Sequence, residues 1–224
     1  MSGIVPTYKV ELPKKKKFVG MTYNEQQIRI LLELVKGTEI ETAIILAISY
    51  GLRRSEILGL KWSAINFGKR TIEIKHTVTG NGKNLICADK TKNKSSHRTL
   101  PLIDGLDEYL IALKKHQTEM RLFVGNSYIK SDYICCWDDG RLILPNHLTN
   151  KFKQIIKNNG LTIIRLHDLR HTCASVLINE GFNLKQISEF LGHCDIGTTA
   201  NIYGHLQFQG KIDMGDSMSK KVFA

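Results

Sequence analysis

Between Glu39 and Tyr50 the chain is apolar on nearly every side of a helix, with Ile44, Ile45, Leu46 and Ile48 leaving no polar face. A helix of that kind belongs inside a core, with other elements packed around it. Gly51 ends it, and the apolar run from Ala43 to Ile48 is far too short to span a bilayer. The chain therefore has to build a globular core about this helix. Its 224 residues suffice for one large or two small domains.

The other elements can be placed around that core. Residues 1–20 carry Pro6, Pro13 and the run Lys14-Lys15-Lys16-Lys17 with few periodic apolar positions, and read as a basic linker. Ordered structure is expected from Thr22, with Thr22 and Glu25 forming a capping box. Ile28, Leu31, Leu32 and Val35 then share a helical face, closed by Gly37. After Gly51, Ile57, Leu58, Leu60 and Trp62 anchor the next segment to the core. Thr71-Ile72-Glu73-Ile74 alternates as a strand does, and Leu85-Ile86-Cys87 and Arg98-Thr99-Leu100 read as strands on either side of a polar turn at 91–96. Helical patterns return at about 104–118, 146–158, 167–180, 184–191 and 197–203, with Gly160 and Gly181 as stops. The fold class expected is α+β, mainly helical, with one small antiparallel sheet and no second hydrophobic core.

A formal charge of +11 favours a polyanionic partner, since neutralising phosphates releases counterions. Five cysteines without a CxxC spacing read as reduced thiols, and no apolar signal segment follows Met1, so a cytoplasmic location is expected. No Asp/Glu cluster resembles a two-metal site and no Gly-rich phosphate loop is present. Neither a catalytic metal nor ATP, nor any other cofactor, is therefore expected.

Chemistry concentrates in a few places. Leu166-His167-Asp168-Leu169-Arg170-His171-Thr172 is followed by Leu191-Gly192-His193 and then by Asn201-Ile202-Tyr203-Gly204-His205. Arg170 lies one helical turn beyond His167, which suggests a shared face, whereas Asp168 and His171 are expected to point elsewhere and brace the helix. Upstream, Arg53 follows a helix stop, where a guanidinium can be aimed into a cleft as a planar fork of donors for a phosphate. An ordinary pair with Glu56 is compatible with that role. The turn from Asp89 to Arg98 concentrates lysines between strands. Tyr203, among polar flanks, is the candidate nucleophile, although a phenol needs nearby cations or a base to react.

Taken together, Gly-Leu-Arg-x-Ser-Glu-Ile-x-x-Leu-x-Trp at 51–62, Lys-Thr-Lys with Arg-Thr-Leu-Pro-Leu at 90–102, His-Asp-Leu-Arg-His-Thr at 167–172, Leu-Gly-His at 191–193 and Ile-Tyr-Gly-His at 202–205 resemble the tyrosine recombinase, or phage-type integrase, family. The flavour is that of conjugative-transposon and Gram-positive phage integrases, and the resemblance covers about 21–206. It implies that Arg53 and Arg170 clamp the scissile phosphate while His167 and His193 assist by hydrogen bonding and proton transfer. It implies that Lys90 is the general acid, with Lys92 as the alternative. Tyr203 would attack phosphorus to form a 3′-phosphotyrosyl intermediate, followed by strand exchange through a Holliday junction.

Members of this type usually carry DNA-binding domains before the catalytic one, so the chain reads as a catalytic-domain fragment that begins in a linker. The implied partners are double-stranded recombination sites, a homo-tetramer formed on DNA from a solution monomer, and an accessory DNA-bending or directionality protein, with no membrane. Residues 207–224 read as a tail that docks on a neighbouring protomer or frays. The rival readings are a type IB topoisomerase-like enzyme and a non-catalytic DNA-binding regulator.

Overall fold

A computed structural model describes residues 21–82, 84–88 and 97–192. Helix α1 (Glu25–Val35) begins with a capping box two residues later than expected. The Asn24 side chain accepts from the Gln27 N–H at 2.9 Å, and the Gln27 side chain accepts from the Asn24 N–H at 3.0 Å. The shift has a tertiary cause. The Tyr23 N–H is donated to Thr172 Oγ1 at 3.1 Å and its hydroxyl to the Thr162 carbonyl at 2.6 Å, so Tyr23 is tied to distant segments and is not free to enter a helix. Leu31 and Val35 are buried, as their face requires.

Helix α2 (Glu41–Tyr50) is central, burying Thr42, Ala43, Ile44, Leu46, Ala47 and Tyr50. At φ 58° Gly51 turns the chain out of it in the left-handed region, where a Cβ is unfavourable. Helix α3 (Arg54–Gly59) follows, with Ile57 and Leu58 in the core. The main core continues through Leu110, Leu148, Phe152 and Leu169, all fully buried or nearly so. A smaller cluster of Cys173, Ala174, Ile187 and Leu191 stands beside it, an addition to the single core expected.

The β-structure divides in a way the sequence did not disclose. Strand β1 (Ile65–Asn66) pairs with β2 (Thr71–Ile74). A separate hairpin joins β3 (Thr77–Asn81) to β4 (Asn84–Ala88), and β5 (Arg98–Pro101) returns to pair with β2. The segments around 85–87 and 98–100 therefore do not pair with each other, and the described residues form two small antiparallel sheets in place of one. Thr77-Val78-Thr79 is a short alternation and easily passed over. Its ladder with β4 runs to the Asn81–Asn84 pair, and β4 is the partner nearest in the chain, with the least loop entropy to lose. Within β2, Ile72 and Ile74 point inward, as alternation requires.

Helix α4 (Leu106–Val124) runs six residues beyond the expected 118 and ends at Gly125, φ 65°. After an irregular stretch bridged at Lys61–Tyr133 and Cys136–Leu142 come α5 (Pro145–Asn158), α6 (Asp168–Asn179) and α7 (Leu184–Leu191). The expected helix at 197–203, the linker 1–20 and the tail 207–224 lie outside the described residues. No described helix is long and apolar enough to cross a membrane.

Tyr50 locks these parts together at the place that matters next. Its hydroxyl donates to the Pro101 carbonyl at 2.9 Å and accepts from the Ile103 N–H at 3.1 Å, which fixes the end of β5 against α2. Its ring stacks on Phe190 of α7 with centroids 6.0 Å apart. A core helix, a strand and a late helix thus meet at one corner.

Candidate active site

Arg53 caps α3 with extended backbone, φ −69° and ψ 150°, directly after the Gly51 turn. Glu56 reaches back to it. The Arg53 N–H is donated to Glu56 Oε2 at 3.1 Å and Arg53 Nη1 to Glu56 Oε1 at 2.7 Å. Glu56 is buried to 2% exposure whereas the Arg53 side chain keeps 31%. The carboxylate is thus the fixed element, and it aims the guanidinium toward the surface.

On α6, Asp168 is buried and takes the Arg165 N–H at 2.8 Å together with Arg165 Nη2 at 2.8 Å and Nε at 3.2 Å. A forked pair of this kind pins the turn that carries His167. Asp168 therefore braces the helix, as expected. His171 does not point elsewhere: its ring meets that of His167 edge-on at 5.3 Å. The residue four along is rotated only about 40° around a helix, against about 60° for the residue three along. That difference also separates His167 from Arg170. His167 stays exposed at the surface, while Arg170 turns inward and is 2% exposed.

The two arginines converge on the last turn of α7. Arg170 Nη1 donates to the Gly51 carbonyl at 2.6 Å and Nη2 to the Leu191 carbonyl at 2.7 Å. Arg53 Nη2 donates to the Gly192 carbonyl at 2.9 Å. A third arginine completes the set: Arg98 Nε donates to the Phe190 carbonyl at 2.9 Å and Nη2 to Glu56 Oε2 at 3.1 Å. Three consecutive carbonyls at a helix C-terminus, where the helix dipole places negative charge, are thereby each capped by a guanidinium. Arg98 lies within the Arg-Thr-Leu-Pro-Leu motif but gave no sign of this role, because in the sequence it begins a strand far from Phe190 and Glu56.

Three guanidiniums against the single carboxylate of Glu56 leave an excess of two positive charges in the cluster. Burial works against ionised Glu56, but Arg98 and then Arg53 overcome it and hold the carboxyl below its ordinary range. Burial, and after it the charges of Arg53 and Arg98, lower the Arg170 pKa to about 9, which still leaves it protonated at pH 7. The His167 imidazole is pushed below the ordinary histidine range by desolvation, then by His171 and Arg170. The ring is therefore neutral at pH 7, able both to donate and to accept. Among the described residues no group of three or more His, Cys, Asp or Glu is placed to hold a metal ion.

Of the six candidate residues, Arg53 and Arg170 meet at the end of α7, and His167 lies about one turn before Arg170, exposed at the surface. Lys90, His193 and Tyr203 lie outside the described residues, as does Lys92. His193 follows Gly192 directly in the chain, and Gly192 ends α7 in the left-handed region at φ 71°.

Gly51 is where fold and site depend on one another. A Cβ there would overlap Leu191 Cδ2 and press on Cys173 Cβ at 3.4 Å, and the backbone has positive φ. We expect Gly51→Ala to lower stability by about 1–2 kcal/mol for the left-handed conformation alone, and by more for the displacement of Leu191. Thermal unfolding checks this, and an unchanged melting temperature would contradict it.

The mainly helical domain thus gathers arginines from its first third and its last quarter at one helix end. The model of the phage integrase family matches residues 22–210, and the chain belongs to that family. It is 32% identical over 196 residues to a protein called tyrosine recombinase XerC-like from Caldanaerobacter subterraneus subsp. tengcongensis, covering 83% of this chain and 50% of that relative. It is 29% identical over 211 residues to the ICEBs1 integrase of Bacillus subtilis, covering 92% and 55%. The chain thus spans about half the length of these two relatives. In fold it is similar to the Tn1549 transposon integrase solved with transposon right end DNA, with a TM-score of 0.75 at 20% identity over 95% of this chain and 69% of the other. It is also similar to the lambda integrase catalytic core, with a TM-score of 0.56 at 16% identity over 77% and 91%.

Proposed function

We propose that this chain is the catalytic part of a site-specific DNA recombinase that cleaves and rejoins DNA through a 3′-phosphotyrosyl intermediate. The observation that carries the reading is the convergence of Arg53 and Arg170 on adjacent carbonyls of α7, in a cluster with surplus positive charge, within a chain of the integrase family. Cleaving a phosphodiester puts negative charge on the non-bridging oxygens. Guanidiniums already held in place by Glu56, Gly51 and the end of α7 stabilise that charge without reorganising.

In this reading Arg53 and Arg170 bind the scissile phosphate, while His167 and His193 donate hydrogen bonds and pass protons. Tyr203 attacks phosphorus: its phenolic proton passes to a histidine of the site, its oxygen forms the new P–O bond as the bond to the 5′ oxygen breaks, and Lys90 gives that leaving oxygen its proton. A 5′ hydroxyl from a second strand then reverses the step, which exchanges strands without hydrolysis. The partners are double-stranded recombination sites and further copies of the chain, assembled as a tetramer on DNA, with the tail after Leu206 reaching a neighbour. An accessory DNA-bending or directionality protein belongs to the same proposal.

The test begins with a pool of nicked duplexes of randomised sequence, incubated with the full chain. Adducts that survive denaturation are isolated, and their DNA is sequenced to give a working site. Failure to trap any adduct from such a pool, or from DNA of the source organism, would overturn the reading. On the recovered site Lys90→Ala is expected to slow cleavage, and a 5′-bridging phosphorothiolate, whose sulfur leaves without a proton, is expected to restore it. Rescue of Lys92→Ala in place of Lys90→Ala would move the general acid to Lys92.

A further inference from the structure

We infer that Arg98 is a positioning residue for the phosphate clamp: it holds the carboxylate that aims Arg53 and, with the same guanidinium, the helix end that Arg53 and Arg170 grip. The inference rests on the function proposed above and concerns a residue outside the six assigned to it. The Arg98 side chain is enclosed, 7% exposed, and its Nε and Nη2 are turned to the Phe190 carbonyl and to Glu56. It works on other residues.

The bonding around Glu56 shows how. Oε1 accepts Arg53 Nη1, and Oε2 accepts both the Arg53 N–H and Arg98 Nη2. A carboxylate this deeply buried is stable as an anion only while cations and donors surround it. Arg53 is partly exposed, and it is asked to face a phosphate as well. Arg98 supplies the second, enclosed cation, which leaves Glu56 ionised while Arg53 looks outward. If Arg98 loses its charge, burial favours the protonated acid. A protonated carboxyl turns one acceptor into a donor, and Arg53 loses part of its anchor.

The second arm of Arg98 is independent of Glu56. Nε donates to the Phe190 carbonyl, the first of the three capped carbonyls, and the Phe190 ring stacks on Tyr50. Arg98 is also the first residue of β5, whose far end Tyr50 holds through Pro101. One side chain therefore fixes the sheet to the end of α7, and so sets where the acceptors of Arg53 and Arg170 stand.

The expected signature is a change in pH dependence, which a loosened fold alone would not produce. Glu56 has a depressed pKa, so its anion persists at neutral pH and is lost as pH falls. Removing the Arg98 charge raises that pKa, and the loss then begins at higher pH. In the full chain, Arg98→Met is expected to slow adduct formation on the recovered site by about tenfold or more at neutral pH and to move the acid limb of the rate profile upward. Arg98→Lys should restore part of the rate and bring the limb back toward its original position. Adding Glu56→Gln to Arg98→Met should abolish the displaced limb. In DNA-free protein, the Glu56 carboxyl carbon, assigned by its absence in Glu56→Gln, should titrate at higher pH in Arg98→Met. If that variant does not fold, Arg98→Lys carries the same comparison with a smaller shift. A uniform fall in rate with the limb unmoved, or an unmoved Glu56 titration, would overturn the inference. An original chain that forms no adduct refutes the function proposed, while the carboxyl titration still decides the role of Arg98.

Discussion

Tyr203→Phe is expected to abolish the denaturation-resistant adduct on a nicked duplex while DNA affinity stays within a few-fold of the original. The substitution removes one hydroxyl and keeps the ring, so any packing by the aromatic survives and only the attacking oxygen is lost. Where a covalent nucleophile is deleted from an enzyme, the cost is on the order of a million-fold in rate. Affinity should persist because the phosphate contacts proposed for Arg53 and Arg170, together with the formal +11 charge of the chain, would not depend on that oxygen. An adduct of undiminished yield would place the nucleophile elsewhere and overturn the assignment of Tyr203.

The second large effect is expected at Arg170, and it has two parts. Losing a preorganised charge at the reacting phosphate typically costs about a hundred- to thousand-fold in rate, and Arg170→Ala should lose at least that much. Burial adds a cost in stability. Arg170 is enclosed, and its removal strips the Gly51 and Leu191 carbonyls of their donor. A buried polar group left without a partner costs about 1–3 kcal/mol, so the melting temperature should fall along with the rate. Arg53→Ala is the contrast: with a side chain 31% exposed it should lose a comparable factor in rate at a smaller cost in stability. Adduct kinetics and thermal unfolding of both variants decide this. Equal stability losses, or an Arg170→Ala that cleaves normally, would show that the two arginines do not divide the work in this way.

Where the contacts of the candidate site are local, the amino-acid sequence made them legible. Arg53 stands just past a glycine stop, and Glu56, three residues on, is in reach of it along any helix that starts there. The spacing of His167 and Arg170 suggested a shared face, which the structure does not give: His167 is exposed and Arg170 enclosed. Arg98 was not legible. It meets Glu56, 42 residues away, and Phe190, 92 residues away, only because β5 returns to β2 and α7 folds back over α2. His171 was misplaced for a smaller reason: a spacing of four turns a side chain less far around a helix than a spacing of three, so His171 follows His167 more closely than Arg170 does.

The same division holds for the fold. Apolar periodicity alone determined that α2 is central, that Ile72 and Ile74 face inward and that helices dominate, because burying those side chains is favourable whatever their neighbours turn out to be. Strand partners, the start of α1 and the depth of Arg170 belonged to the tertiary structure. Each depends on a hydrogen bond whose donor and acceptor lie far apart in the chain: Tyr23 to Thr172, Arg170 to Gly51, β2 to β5. Residue type says only that such a group needs a partner, and the packing of the core decides which one comes within reach.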